Sequence, residues 1–235
     1  MTEAEWLACT DPTPMLDFLR GKASDRKLRL FACACCRRGL VLRDNPASAS
    51  ASKATDLISV LEAYADGDPD GLIHPEDLPW IRGSQDYEPF FVIWEENAAK
   101  LSLIRPGEGA STAADLLGTI AQTTAAQEER ERGGRIEKQA VLVVLSEVFG
   151  NPFRPSPPLL AAALNWNDRT IPHIAEAIYK ERKLPEGTLD TARLAILADA
   201  LLDAGCEDEA LIQHCREPGP HVRGCWAVDL ILGKQ

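Results

Sequence analysis

The chain has no long hydrophobic run, few aromatic side chains and no excess of positive charge. Each shortage excludes something. Apolar runs such as Ala140–Leu145 fall far short of the ~18 residues a membrane helix needs. Aromatic residues make up 6% of the chain, so a core must be built mainly from aliphatic side chains. With 25 Lys and Arg against 36 Asp and Glu, the net charge is −11, the opposite of the basic footprint that general nucleic-acid binding requires. The usual sequence marks of an active site are also missing. There is no GxSxG, no GxxxxGK[ST], no HExxH and no GxGxxG, which removes the readiest routes to hydrolase, nucleotide or dinucleotide chemistry.

The composition is otherwise that of a folded domain: 45% hydrophobic and 26% charged over 235 residues. The first residues, Met-Thr-Glu-Ala-Glu-Trp, are acidic and no apolar stretch follows them, so a cytoplasmic protein is the expectation. Charge is unevenly spread. Residues 1–43 carry eight Lys or Arg against five Asp or Glu, a local +3 that leaves −14 for the remainder.

Helical signals dominate. Thr2 and Glu5 stand at capping-box spacing before a short helix running to Cys9. Pro14 suits the first position of a helix to Arg20, closed by Gly21. Ser24 can cap a helix over 25–42, in which Leu28, Phe31, Ala32 and Cys35 recur at helical spacing. A fourth helix over 48–65 carries Leu57, Ile58, Leu61 and Tyr64 on one face and stops at Asp66-Gly67. Residues 66–89 hold four prolines and read as an irregular loop. Further helices are expected over 89–103, 111–130, 136–149, 171–182, 188–204, 208–216 and 221–232. The predicted fold class is therefore all-α, a multi-helix bundle. A region 1–150 is joined by a proline-rich connector, 151–158, to a region 159–235 that packs on it as one domain.

Two cysteine clusters are the candidates for chemistry. Seven cysteines, an odd number, cannot all pair, and a chain kept in a reducing compartment uses them as buried thiols, metal ligands or nucleophiles. On the helix 25–42, Cys33 and Cys36 share a face. On the helix expected over 221–232, His221 and Cys225 stand four apart and can point at one ion. If those two helices meet, Cys33, Cys36, His221 and Cys225 supply four ligands for tetrahedral zinc, with Cys215 or His214 as substitutes for one of them. The alternative is that the thiols are simply small buried apolar groups. A nucleophilic Cys225 with His221 as base is a third reading, without an orienting group. Two weaker candidates fail on chemistry. Asp66-Gly-Asp-Pro-Asp-Gly71 resembles the start of a calcium loop, but prolines fall inside it and Asp77 stands where its last ligand would be. Glu128–Arg132 reads as a solvated helix end. An anion at a helix start near His221, with Arg216 and Arg223 close in sequence, remains open.

The stretches MTEAEWLACTDPTPMLDFLRGKASDRKLRLFACACCRR, NPFRP and LADALLDAGC…HCREPGPHVRGCWAVDLILGK together resemble a family of uncharacterised paralogous proteins of planctomycete bacteria. That resemblance implies a bacterial cytoplasmic protein of an expanded set and carries no catalytic residues. The functional expectation is a non-enzymatic helical interaction or regulatory module whose partner is another protein with a basic surface. The alternatives are a zinc-stabilised protein acting on nucleic acid through the basic helix 25–43, and a thiol enzyme using Cys225 and His221.

Overall fold

The computed structural model describes residues 1–41, 49–67, 135–154 and 161–234. These residues are helical, with no strand among them: α1 Glu3–Leu7, α2 Pro12–Leu19, α3 Asp25–Val41, α4 Ala49–Ala65, α5 Arg135–Phe149, α6 Ala161–Lys180, α7 Thr191–Asp203, α8 Glu209–Arg216 and α9 Trp226–Leu232. None of these helices is long and apolar enough to cross a membrane. Residues 68–89 of the loop expected over 66–89, the helices expected over 89–103 and 111–130, the charged run 128–132 and the prolines of 155–158 lie outside the described residues. The chain divides into two compact units, Met1–Leu145 and Ser146–Gln235, with the boundary inside α5.

In the first unit the helix starts follow from local hydrogen bonding. Thr2 Oγ1 accepts the Glu5 N–H at 3.3 Å while the Glu5 carboxylate accepts the Thr2 N–H at 2.7 Å, a complete capping box. α2 opens two residues earlier than expected. Asp11 Oδ1 accepts the Thr13 N–H at 2.9 Å, so Pro12 rather than Pro14 takes the first helical position. Ser24 Oγ accepts the Lys27 N–H at the start of α3. α3 and α4 pack together, burying Leu28, Phe31, Cys33 and Cys36 from one and Ile58, Leu61 and Ala65 from the other. Their register is fixed by charge. Arg37 donates through Nε and Nη2 to the two Glu62 carboxylate oxygens at 2.8 and 2.9 Å, and through Nη2 to Ser59 Oγ at 2.8 Å. Arg26 Nε donates to Asp66 Oδ1 at 2.8 Å.

The second unit has an aliphatic core. Ile171, Ala175 and Ile178 of α6 meet Leu194, Leu197 and Leu201 of α7, Leu211 and Cys215 of α8, and Val228 and Ile231 of α9. α6 is really two helical segments. Asn167, Asp168 and Arg169 have φ of 47°, 55° and 61°, so the axis breaks there, and Pro172 falls in the first turn of the second segment where its missing N–H is harmless. This accounts for the expected start near Ile171; the segment before the break was not foreseen. Asp190 caps α7, Asp208 caps α8, and Gly205, at φ +79°, follows the C-cap Ala204.

The last helix corrects a prediction. It begins at Trp226, not His221. His221 and Val222 form extended backbone: the Leu189 N–H donates to the His221 carbonyl at 2.8 Å, and Val222 forms a bridge with Thr188. Gly224, at φ +90°, turns the chain before α9. His221 and Cys225 are thus brought together by a turn, not by one helical face. Helical periodicity failed here because a cross-chain backbone hydrogen bond competes for groups that a helix would use locally.

Candidate metal centre

Four buried side chains of the second unit converge: Glu147, His214, His221 and Cys225, each offering one donor atom within 4.8 Å of all the others. Glu147 comes from the last turn of α5, His214 from the last turn of α8, and His221 and Cys225 from the turn ahead of α9. His221 Nδ1 stands 3.2 Å from each Glu147 carboxylate oxygen. His214 Nε2 stands 3.2 Å from Cys225 Sγ and 3.3 Å from Glu147 Oε2. The Val222 N–H donates to Glu147 Oε1 at 3.3 Å, which fixes the carboxylate.

The orientation of His221 sharpens what this cluster can do. Its Nε2–H donates to the Glu217 carbonyl at 3.0 Å, a group that can only accept. Its Nδ1 then faces a carboxylate, which also only accepts. A proton shared between the ring nitrogen and the carboxyl group, or a metal ion, fits between them at 3.2 Å. Anchoring one imidazole nitrogen on a backbone carbonyl while the other faces inward is the usual arrangement of a metal-bound histidine.

Electrostatics describe the same cluster as it holds protons. Burial works to lower the proton affinity of His221, but its hydrogen bond to Glu147 and the charge of that carboxylate outweigh it, so its pKa is raised. His214 is held below its ordinary value, first by burial and then by His221, against the pull of Glu147. Burial, reinforced by Glu147, pushes the Cys225 thiol well up. Burial likewise takes Cys215 up to about 12. A buried thiol of raised pKa holds its proton until a metal or a base takes it.

The structure brings together some of the expected ligand set and not others. His221 and Cys225 belong to the cluster, and His214 joins it as the foreseen substitute. Cys215 is buried in the core of the unit, and neither it nor Cys33 or Cys36 is among the four donors. Cys33 and Cys36 are buried on α3 of the first unit. Burial raises Cys36 well above the ordinary thiol value. Glu147 was missed. A signal for it existed: Ala140, Val144 and Glu147 stand at i, i+4 and i+7, which places a carboxylate on a buried helix face. The anion site expected at a helix start near His221 has no helix start there, since α9 begins five residues later.

The site is backed by Trp226. Its ring lies 5.0 Å from that of His214. Gly150, at φ +61°, passes so close that a Cβ on it would stand 3.0 Å from Trp226 Cγ. Gly150→Ala combines a left-handed backbone with that contact and is expected to destabilise the second unit by about 1–2 kcal/mol. Chemical denaturation followed by Trp fluorescence measures this, and an unchanged midpoint would refute it.

No protein-family model, curated protein or solved structure matches this chain.

Proposed function

We propose that the second unit binds one zinc ion through Glu147, His214, His221 and Cys225, and that the protein is a non-enzymatic, metal-stabilised helical module. The observation that carries this reading is the inward convergence of four buried donors of the types zinc prefers: two imidazole nitrogens, one sulfur and one carboxylate oxygen. The spacing supports it. Tetrahedral ligands about 2.0–2.1 Å from zinc lie about 3.3 Å apart, and a sulfur lies about 3.5 Å from a nitrogen. The contacts of 3.2 and 3.3 Å are close to those edges. A thiolate and a carboxylate also neutralise a divalent ion, which suits a buried site.

Four protein ligands complete a tetrahedral shell and leave no position for a substrate, the mark of a structural rather than a catalytic zinc. That favours a module that acts by binding, and the acidic net charge favours a partner protein with a basic surface. The nucleic-acid reading draws less support. Of the basic residues of 25–43, Arg37 and Arg26 are neutralised by Glu62 and Asp66.

Elemental analysis of protein purified without added metal tests the proposal, with about one zinc per chain expected for a closed four-ligand site. A metal-free protein that takes up neither zinc nor cobalt on titration leaves only a hydrogen-bonded Glu–His–His–Cys cluster and ends the reading.

A further inference from the structure

The turn that carries His221 has a feature the four donors alone do not explain. Glu217 contacts both histidines. Its carbonyl accepts the His221 Nε2–H at 3.0 Å, and its carboxylate Oε2 lies 3.9 Å from His214 Nδ1, the ring nitrogen turned away from the cluster. Resting on the metal reading above, we propose that Glu217 is the positioning residue of the site: its backbone carbonyl sets the ring of His221, and its carboxylate places a negative charge against the outer nitrogen of His214.

The fold holds Glu217 in place for both tasks. It is the C-cap of α8, and its N–H bonds the carbonyls of Gln213 and His214, so its position is tied to the helix that carries His214. Pro218-Gly219-Pro220 then returns the chain to His221. Gly219, at φ +88°, would place a Cβ 2.8 Å from the His221 N, so only glycine permits this return. At 3.9 Å the carboxylate is too far to accept a hydrogen bond from His214 Nδ1, so it acts through its negative charge, which favours positive charge on the ring it faces. The Glu217 side chain is 54% exposed while His214 is 11% exposed, so the carboxylate acts on the most accessible of the ligands. The same exposure means that the side chain contributes little to packing, and a variant should keep its fold.

The test compares full-length wild type, Glu217→Gln and, as a control for general loss of negative charge, Glu207→Gln, an exposed acid outside the turn. Cobalt(II) is titrated into each metal-freed protein while its visible absorption is followed, and zinc affinity is then measured by competition with a chromogenic chelator. Glu217→Gln is expected to weaken zinc binding about 10-fold and to shift the cobalt bands, with Glu207→Gln matching wild type. Circular dichroism of the metal-free proteins checks that folding is equal, and Glu217→Ser serves as the second variant should Gln perturb it. Glu217 variants that bind zinc within about twofold of wild type, with the same cobalt spectrum, overturn the positioning role and leave the metal site standing. Equal weakening by Glu207→Gln overturns it too, since net charge alone would then explain the effect. Wild type that shows no cobalt bands at all removes the metal reading itself, and this inference with it.

Discussion

Cys225→Ala is expected to abolish stoichiometric zinc and, with it, the response of the second unit to chelation. Zinc binds a thiolate, and Cys225 is the sole sulfur among the four donors, so its loss leaves a three-ligand site with a vacated corner. A ligand that binds only the folded state stabilises it by about 4 kcal/mol when free ligand exceeds its dissociation constant a thousandfold. Wild type should therefore lose about that much on exhaustive chelation at a zinc level that saturates it. The variant should melt at one temperature with or without chelator. The difference in chelator response between the two proteins is the readout, because truncating a fully buried thiol lowers stability by itself. Wild-type stability indifferent to chelator, or a variant still holding zinc one to one, would be decisive against the site.

The second large effect lies in the first unit. Arg37→Met should destabilise the α3–α4 pair by about 3–5 kcal/mol, the range found when one partner of a buried ion pair is removed. Arg37 and Glu62 are 1% and 2% exposed, so water screens their interaction little. The substitution strips Glu62 of a bidentate partner and Ser59 of a donor. The double variant Arg37→Met with Glu62→Met should recover most of the loss, since two well-packed apolar groups in place of a buried pair are often neutral or stabilising. Urea unfolding of the four proteins forms a double-mutant cycle. Additive losses, with the double variant worse than either single one, would show that the pair is not what holds these helices in register.

How far the sequence could be read depended on the range of the interactions concerned. Thr2 with Glu5, Ser24, Asp208 and Gly205 mark helix ends through hydrogen bonds and backbone angles that span three or four residues, and the structure places each where local chemistry predicts. The apolar stretch Val141–Val144, open to a strand reading, is helical within α5. The misreadings have local causes of another kind. Asp11 captured the helix start expected at Pro14, and the left-handed run Asn167–Arg169 broke a helix at an Asn-Asp pair, residue types that tolerate such angles. The start of α9 was misplaced because the Leu189 N–H, 32 positions before His221, engages the His221 carbonyl.

The candidate metal site divides along the same line. Two cysteine-and-histidine positions, His221 and Cys225, were legible because those side chains are rare enough to stand out, and His214 was noted as a substitute. The expected pairing with Cys33 and Cys36 rests on matched spacing along two helices, and spacing carries no information on which side chains converge. Glu147 stands 74 residues before His221, and among so many acids it was inconspicuous without knowledge of its burial. The sequence by itself determined the helical class, most helix ends and the residue types able to bind a metal, because propensity, capping and periodicity act within a few residues. Tertiary structure alone decided which donors meet. It buries one carboxylate at the end of α5 and carries His221 and Cys225 on a turn, held by hydrogen bonds between segments far apart in the chain.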